Sequence, residues 1–429
     1  MKRFKETFVL GFAIFASFFG AGNLILPPML GFNSGSDWWL VAMGFLLSAT
    51  LIPLLALFGH ARLQGTMIDF AEKVSTRFAL LFCICVYVMV IILPCPRTAA
   101  VTHEISIQPY FGTSALLTSS VYFFLVFLFA VNRGVVIDIL GKYLTPIIGL
   151  ILLAIIGLGV IGPSGLSQPG IYKAPMVSGF LEGYQTYDAI AGLVVGGIIV
   201  ITVNNAHAKM SSRDKNLLIG QSGLVAILGL FIIYIGLIYV GSKYKAEFGI
   251  DISRADLLSG LSRLTLGNTG TAFLSVLVAL SCFTTAVSIV IGTADFFKGI
   301  LGNSKKVYVI TTLIACLTGI FMGQFEVKFI IDLAVYVLMF LYPVSIVLIL
   351  LNICPDKYAG RAVFRTVVSL ALLFSIPDFL KQIIPVEHLE LIYRIVPFSR
   401  EALGWVIPSL LGFLVANMIV RFRNPSVSA

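Results

Sequence analysis

Apolar residues in this chain come in unbroken runs, separated by polar or Gly/Pro-rich breaks, rather than at the spaced positions of a half-buried surface element. Five runs stand first: Phe8 to Gly31, Trp38 to Phe58, Phe78 to Pro94, Leu116 to Val131 and Leu144 to Ile161. Five more follow, at Phe180 to Ala206, Leu217 to Val240, Thr271 to Ile300, Val307 to Met322 and Phe329 to Leu351, and then two at Val363 to Ile376 and Trp405 to Val420. A crossing of the hydrocarbon core takes about 20 apolar residues, so each run reads as a membrane-spanning helix, twelve in all. The start, Met1-Lys2-Arg3 before an apolar stretch, has the outline of a signal peptide. The run continues through Leu24, Ile25 and Leu26 into Pro27-Pro28 without a polar spacer, so it is taken as an uncleaved first helix.

Composition narrows the class. With 59% hydrophobic and 11% charged residues among 429, too few charged groups exist to cover a water-soluble globule. The spans leave only short connections, which excludes a sizeable soluble catalytic domain. The 29 Lys and Arg exceed the 20 Asp and Glu, for a net charge of +9. Nineteen of the 29, among them Arg62, Lys73, Arg77, Lys209 and Arg361, fall at span ends on the side of the N-terminus. Both termini are therefore placed in the cytoplasm, and the charge is a topology signal rather than a nucleic-acid footprint. The six cysteines and four histidines show no zinc or redox spacing, so neither a metal cluster nor a disulfide framework is expected. No phosphate-binding Gly-x-x-x-x-Gly-Lys-Ser/Thr motif is present.

Two runs are interrupted. Ser17-Phe18-Phe19-Gly20-Ala21-Gly22-Asn23 lies within the first and Gly183-Tyr184-Gln185-Thr186-Tyr187-Asp188 within the sixth. Irregular backbone at membrane depth is tolerated only where it faces a cavity or an ion. Interruptions at matched positions of two five-helix sets point to an inverted-repeat transporter with its substrate between half-helices near the midplane; glycines that serve close helix packing are the alternative. Asp188 is the one carboxylate placed well inside a span, where it costs roughly 2.5–3.5 kcal/mol on insertion scales. It either binds a substrate amine or cation, or caps the half-helix that follows it. Ser281, Thr284 and Thr285, at i, i+3 and i+4, put three hydroxyls on one face of the eighth run. They suit a hard cation such as Na+, or satisfy themselves on the carbonyl one turn back. The outer loop from Lys243 to Asn268 is roughly helical in period, as a lid or as a helix lying on the bilayer. An intramembrane enzyme would need a nucleophile-base pair or a metal-ligand cluster inside the spans, and a channel a continuous polar face; neither pattern is visible.

The segments Phe18-Phe19-Gly20-Ala21-Gly22-Asn23-Leu24-Ile25, with Pro27-Pro28, and Phe180-Leu181-Glu182-Gly183-Tyr184-Gln185-Thr186-Tyr187-Asp188-Ala189 resemble the bacterial branched-chain amino acid:cation symporters, over nearly the whole chain. The resemblance implies an all-α polytopic membrane protein of the leucine-transporter fold. Residues 1–351 would form a 5+5 inverted repeat with broken helices 1 and 6, and residues 352–429 two peripheral spans. It implies that Ala21 and Gly22 offer backbone N–H groups to the substrate carboxylate, as a half-helix N-terminus favours an anion. Ala16 and Phe19 carbonyls with Ser281, Thr284 and Thr285 would make one Na+ site, and Asn23 with Thr186 a second. Phe18, Tyr184 and Tyr187 would enclose an aliphatic side chain, with Leu, Ile and Val as substrates and Asp188 beside them. Proton-driven relatives can put a Lys in the fifth span at the sodium position, and the fifth span here has none inside, so the resemblance implies Na+ over protons as the coupling ion; a proton-coupled or broader neutral amino acid carrier is the runner-up. No enzyme activity, organic cofactor, nucleic acid or obligate protein partner is implied. The partners are the small substrate and the lipid bilayer of a bacterial cytoplasmic membrane.

Overall fold

A backbone in hydrocarbon has no water to bond with, and the helix is the local structure that satisfies its amides within one segment. The computed structural model describes residues 2–132, 135–162, 168–381 and 383–423, and the regular structure among them is helical throughout. Among the described residues nine helical stretches are long and apolar enough to cross a membrane, and two shorter apolar helices, Pro146–Ile161 and Val406–Phe422, accompany them.

Two stretches differ from the pattern of runs. The third run does not end at Pro94. Leu93 and Pro94 only interrupt the helix Thr76–Ile92, and Pro94 occupies the opening of the next helix, Pro94–Thr102, where its missing N–H costs little. Together they make an apolar helical stretch from Thr76 to Phe111. The second case is the outer loop. Ser253 Oγ accepts the Asp256 N–H at 3.0 Å and opens a helix that runs from Arg254 to Ile300 through a joint at Gly267, whose φ of 71° is left-handed backbone that glycine adopts without strain. Leu257 and Leu261 of this segment pack with Met29, Phe32, Val240 and Tyr244, so its leucine face is turned to protein and not to lipid.

The chain divides into two compact units, Met1–Thr50 with Tyr87–Tyr187 and Leu224–Ala334, and Leu51–Val86 with Asp188–Gly223 and Val335–Ala429. In the first, helices approach through glycine. A Cβ on Gly44 of Trp38–Leu46 would overlap the Met176 carbonyl, and one on Gly179 of Pro175–Glu182 would overlap the Val41 carbonyl. Such contact brings backbones together where water exclusion supplies no driving force. A second layer of the same unit packs Tyr122, Phe123 and Val126 against Ala286, Val287 and Val290. In the second unit Gly192 lies against Ala56 and Pro53, and the buried His60 sets its ring nitrogens on the carbonyls of Gly65 (3.0 Å) and Leu193 (2.9 Å). Asp356 gathers Arg62 (2.9 Å) and Lys73 (3.0 Å) on the surface of that unit.

Overpacking a helix contact costs about 1–3 kcal/mol. Gly179→Ala should therefore lower the melting temperature of the purified protein, while Gly292→Ala, whose new methyl meets open space, should not; equal melting temperatures would count against backbone-close packing.

Candidate functional site

The first interruption falls at Phe19 and Gly20. Helix Lys2–Phe18 stops, and helix Ala21–Ser34 starts with Gly20 as its extended N-cap. The Gly20 N–H, which in a continuing helix would close on the Ala16 carbonyl, is shared between the Phe18 carbonyl (3.0 Å) and Asn23 Oδ1 (3.4 Å). Asn23 returns the bond, its own N–H donating to the Gly20 carbonyl at 3.1 Å. Its amide nitrogen donates to the hydroxyl of Tyr234 on helix Ser212–Lys243. Asn23 thus closes the start of the second half-helix and ties it to a neighbour, with both ends of a 1% exposed side chain engaged. Phe18 and Phe19 are buried on either side of the turn, and Phe19 stacks on Phe15 at 5.1 Å. Ala16 is half-buried. Ala21 opens the half-helix, and its side chain lies outside the described residues.

The second interruption is longer. Helix Pro175–Glu182 tightens into a 3-10 turn, Gly183–Thr186, and Tyr187 then takes left-handed backbone at φ 62°, an unusual conformation for a bulky residue and a mark of local strain. Gly183 is required by close approach, because a Cβ there would overlap Ser48 Oγ, which itself donates to the Phe180 carbonyl at 2.7 Å. Thr186 Oγ1 donates back to the Gly183 carbonyl (2.9 Å), and the buried Tyr184 ring meets Phe180 edge-on at 5.5 Å. Asp188 begins the next helix, Asp188–Ala206, and with it the second unit. It is 1% exposed and stands in the first turn, where a carboxylate is favoured by the helix dipole.

Arg97 joins the two interruptions inside the first unit. It is 4% exposed, its Nη1 donates to the Gln185 carbonyl at 2.8 Å, and its guanidinium carbon lies 5.0 Å from the centre of the Tyr187 ring. On its other side it crowds the first break, since a Cβ on Gly22 would overlap the guanidinium. By its position after the third apolar run Arg97 falls among the ten basic residues assigned to the outer side. The readable signal against that was Ala100, Val101 and Ile105, apolar at i+3, i+4 and i+8 from it, which continue a buried helical face past Pro94 and Pro96. The Gln185 side chain reaches the other way. Its Nε2 donates to Glu182 (3.2 Å), and its Oε1 accepts from Arg254 (3.4 Å), which pairs with Glu182 at 3.5 Å.

Of the eighth-run trio, Thr285 lies beside the first break. A Cβ on Gly20 would sit 3.6 Å from the Thr285 methyl and 4.0 Å from its hydroxyl. Thr284 and Thr285 both donate to the Ser281 carbonyl, at 3.0 and 2.9 Å. This is the self-satisfying arrangement of hydroxyls on a membrane helix. It leaves each oxygen its lone pairs, so it is compatible with a cation ligand.

Comparison with known proteins follows the same lines. A family profile described as "Branched-chain amino acid transport protein" matches residues 3–423. The chain is 33% identical over 424 residues to the branched-chain amino acid transport system 2 carrier protein of Pseudomonas aeruginosa, covering 97% of this chain and 96% of that one. It is 31% identical to the branched-chain amino acid permease BraB of Bacillus subtilis, covering 98% and 97%. Among solved structures it is similar to the inward-facing conformation of Mhp1, with a TM-score of 0.62, 11% identity and coverage of 97% and 91%. It is also similar to a substrate-bound outward-open Na+-coupled sialic acid symporter, with a TM-score of 0.61, 12% identity and coverage of 96% and 90%.

Residues in one hydrogen-bonded unit show coupling energies of about 0.5–3 kcal/mol. A double-mutant cycle of Asn23→Ala and Tyr234→Phe, read by thermal unfolding, should return a coupling in that range, whereas additive effects would contradict the tie between the half-helix and its neighbour.

Proposed function

The chain belongs to the branched-chain amino acid transport protein family, and from that premise we propose that it is a secondary active transporter that imports leucine, isoleucine and valine with Na+ across a bacterial cytoplasmic membrane. The observation that carries the proposal is the pair of helix interruptions, at Phe19–Gly20 and at Gly183–Tyr187, held side by side through Arg97. Membrane proteins keep non-helical backbone at depth only where it is buried in protein or lines a cavity, and interruptions at corresponding places in two halves of a chain mark the binding site of secondary transporters. A half-helix N-terminus at Ala21 and Gly22 suits a carboxylate. Buried aromatic groups at Phe18, Tyr184 and Tyr187 suit an aliphatic side chain that needs no hydrogen bond. Leu, Ile and Val differ by a methylene or its placement, which is worth only about 1–3 kcal/mol, so one protein would serve all three.

In this reading residues 1–351 are two five-span repeats, residues 352–429 are peripheral, twelve spans leave both termini in the cytoplasm, and rocking of one helix bundle against another alternates access. The coupling ion would rest on the Ala16 and Phe19 carbonyls and on Ser281, Thr284 and Thr285. Its support is the turned-away Gly20 amide and the approach of Thr285 to the first break. Asn23 and Thr186 would stand near a second ion.

Uptake of labelled leucine into proteoliposomes under separately imposed Na+ and proton gradients tests the proposal. Accumulation driven by Na+ and blocked by isoleucine and valine is expected. Accumulation driven by protons alone would keep the substrate class and remove the sodium trio; no uptake of any neutral amino acid would remove the function. Thr285→Ala should raise the Na+ concentration for half-maximal uptake about tenfold, the loss of roughly 1.4 kcal/mol of ion binding, with little change in melting temperature; unaltered Na+ activation would sink the ion site.

A further inference from the structure

We propose that helices Arg361–Leu380 and Val406–Arg423 form a binding site for an anionic phospholipid, one acyl chain lying in the groove between them and the phosphate held by Lys357 and Arg421. Two independent observations lead to it. The first is the groove, which measures about 480 Å3 and is lined by Thr366, Leu370 and Phe374 on one helix and by Leu411, Gly412 and Val415 on the other. Gly412 keeps its floor low, because a Cβ there would overlap the tip of Leu370. Leu411 and Val415 are exposed by more than half, so the groove opens outward from the helix pair. The second observation is the charge at one end of it. Arg421 follows Val415 on the same helix by six residues, about 9 Å. Lys357 stands just before the other helix, and the two cations meet over the Tyr358 ring, the Lys357 ammonium at 4.8 Å and the Arg421 guanidinium carbon at 5.2 Å from its centre.

Among the described residues neither cation has a carboxylate partner. Asp356, beside Lys357 in sequence, is taken by Arg62 and Lys73. Lys357 first, and Arg421 after it, hold the Tyr358 phenol below its ordinary range, so the phenol feels both positive charges. Two cations on one ring repel each other, and an anion shared between them removes that repulsion. A phosphate suits the pair, since a guanidinium meets its oxygens through parallel bonds and an ammonium adds a point charge. The groove then supplies what a free anion cannot use, an apolar bed beginning about two turns from the charges. A zwitterionic head group carries its own cation and gains less. In the topology proposed above this end of the helices faces the cytoplasm, the side on which Lys and Arg beside a span attract anionic lipid. The two spans outside the ten-span core thereby acquire a task of their own, independent of which substrate or ion the core carries.

The test titrates dioleoylphosphatidylglycerol or dioleoylphosphatidylcholine into the delipidated full-length protein in neutral detergent, and reads bound lipid by native mass spectrometry and melting temperature. Wild type should bind the anionic lipid about tenfold or more tightly than the zwitterionic one. Lys357→Gln combined with Arg421→Gln should weaken phosphatidylglycerol by about 25-fold, roughly fivefold for each cation, and leave phosphatidylcholine unchanged. Val415→Phe, which fills the groove, should weaken both lipids alike. Lys305→Gln, at an exposed cation of the other compact unit, should alter neither. Should the double variant fail to fold, Lys357→Gln alone carries the test, with a fivefold loss expected. Equal affinity for the two lipids in wild type would overturn the proposal, as would cation variants that keep the preference or a matching loss in Lys305→Gln. Inorganic phosphate that raises the melting temperature as far as phosphatidylglycerol does would show a surface anion site without a lipid. A doubled mass that carries no lipid and disappears in Val415→Phe would show a face between two copies of the chain; either result overturns the assignment.

Discussion

Every amide that leaves a helix inside an apolar protein must find another acceptor, and the first unit is arranged around that demand. Where helix Lys2–Phe18 stops, the Gly20 amide turns to Phe18 and Asn23, and Asn23 in turn holds Tyr234. Where helix Pro175–Glu182 stops, Thr186 folds back on Gly183, and the buried Gln185 carbonyl is taken by Arg97. Each departure from helical geometry is answered by a named side chain. The breaks are therefore built features, and the residues that answer them are as much part of the site as those a ligand would touch.

Small residues make this arrangement possible. Gly183 lets the turn press on Ser48, Gly44 and Gly179 let two helices meet at backbone distance, and Gly22 leaves room for a guanidinium. Three kinds of neighbour, a hydroxyl, two backbone carbonyls and a cation, occupy the space of these four missing side chains. In each case the glycine that admits the neighbour also leaves its own backbone bare.

Much of this was legible before any coordinates. Glycines together with polar groups, at matched places in otherwise apolar runs, located both interruptions, whereas glycine alone, as at Gly44, serves close packing. The leucine period between Lys243 and Asn268 announced a helix, although its attachment through Gly267 depends on one residue's backbone and has no signature in hydropathy. Three things were hidden. Arg97 was masked by Pro94 and Pro96, which end an apolar run in sequence but only restart the helix in space. Tyr234 looks like any tyrosine of a membrane helix, and only the fold brings it to Asn23. The hydroxyls of Thr284 and Thr285 have the same spacing whether they face an ion or bond to Ser281, and the sequence is silent between the two.

The placement of Arg97 also bears on how the protein is made. Its partner carbonyl, Gln185, lies 88 residues further along the chain. At a synthesis rate of about 5–20 residues per second, roughly 4–18 s pass before that residue is made. During that interval the third helical stretch stands in or beside the bilayer with its guanidinium awaiting the second break. The same stretch, Thr76 to Phe111, contains the most apolar segment of the nine. An insertion penalty of a few kcal/mol for one arginine is carried by the leucines, isoleucines and valines that precede it, so the surplus greasiness of that helix is what permits a charge to be delivered to the interior ahead of the structure that will receive it.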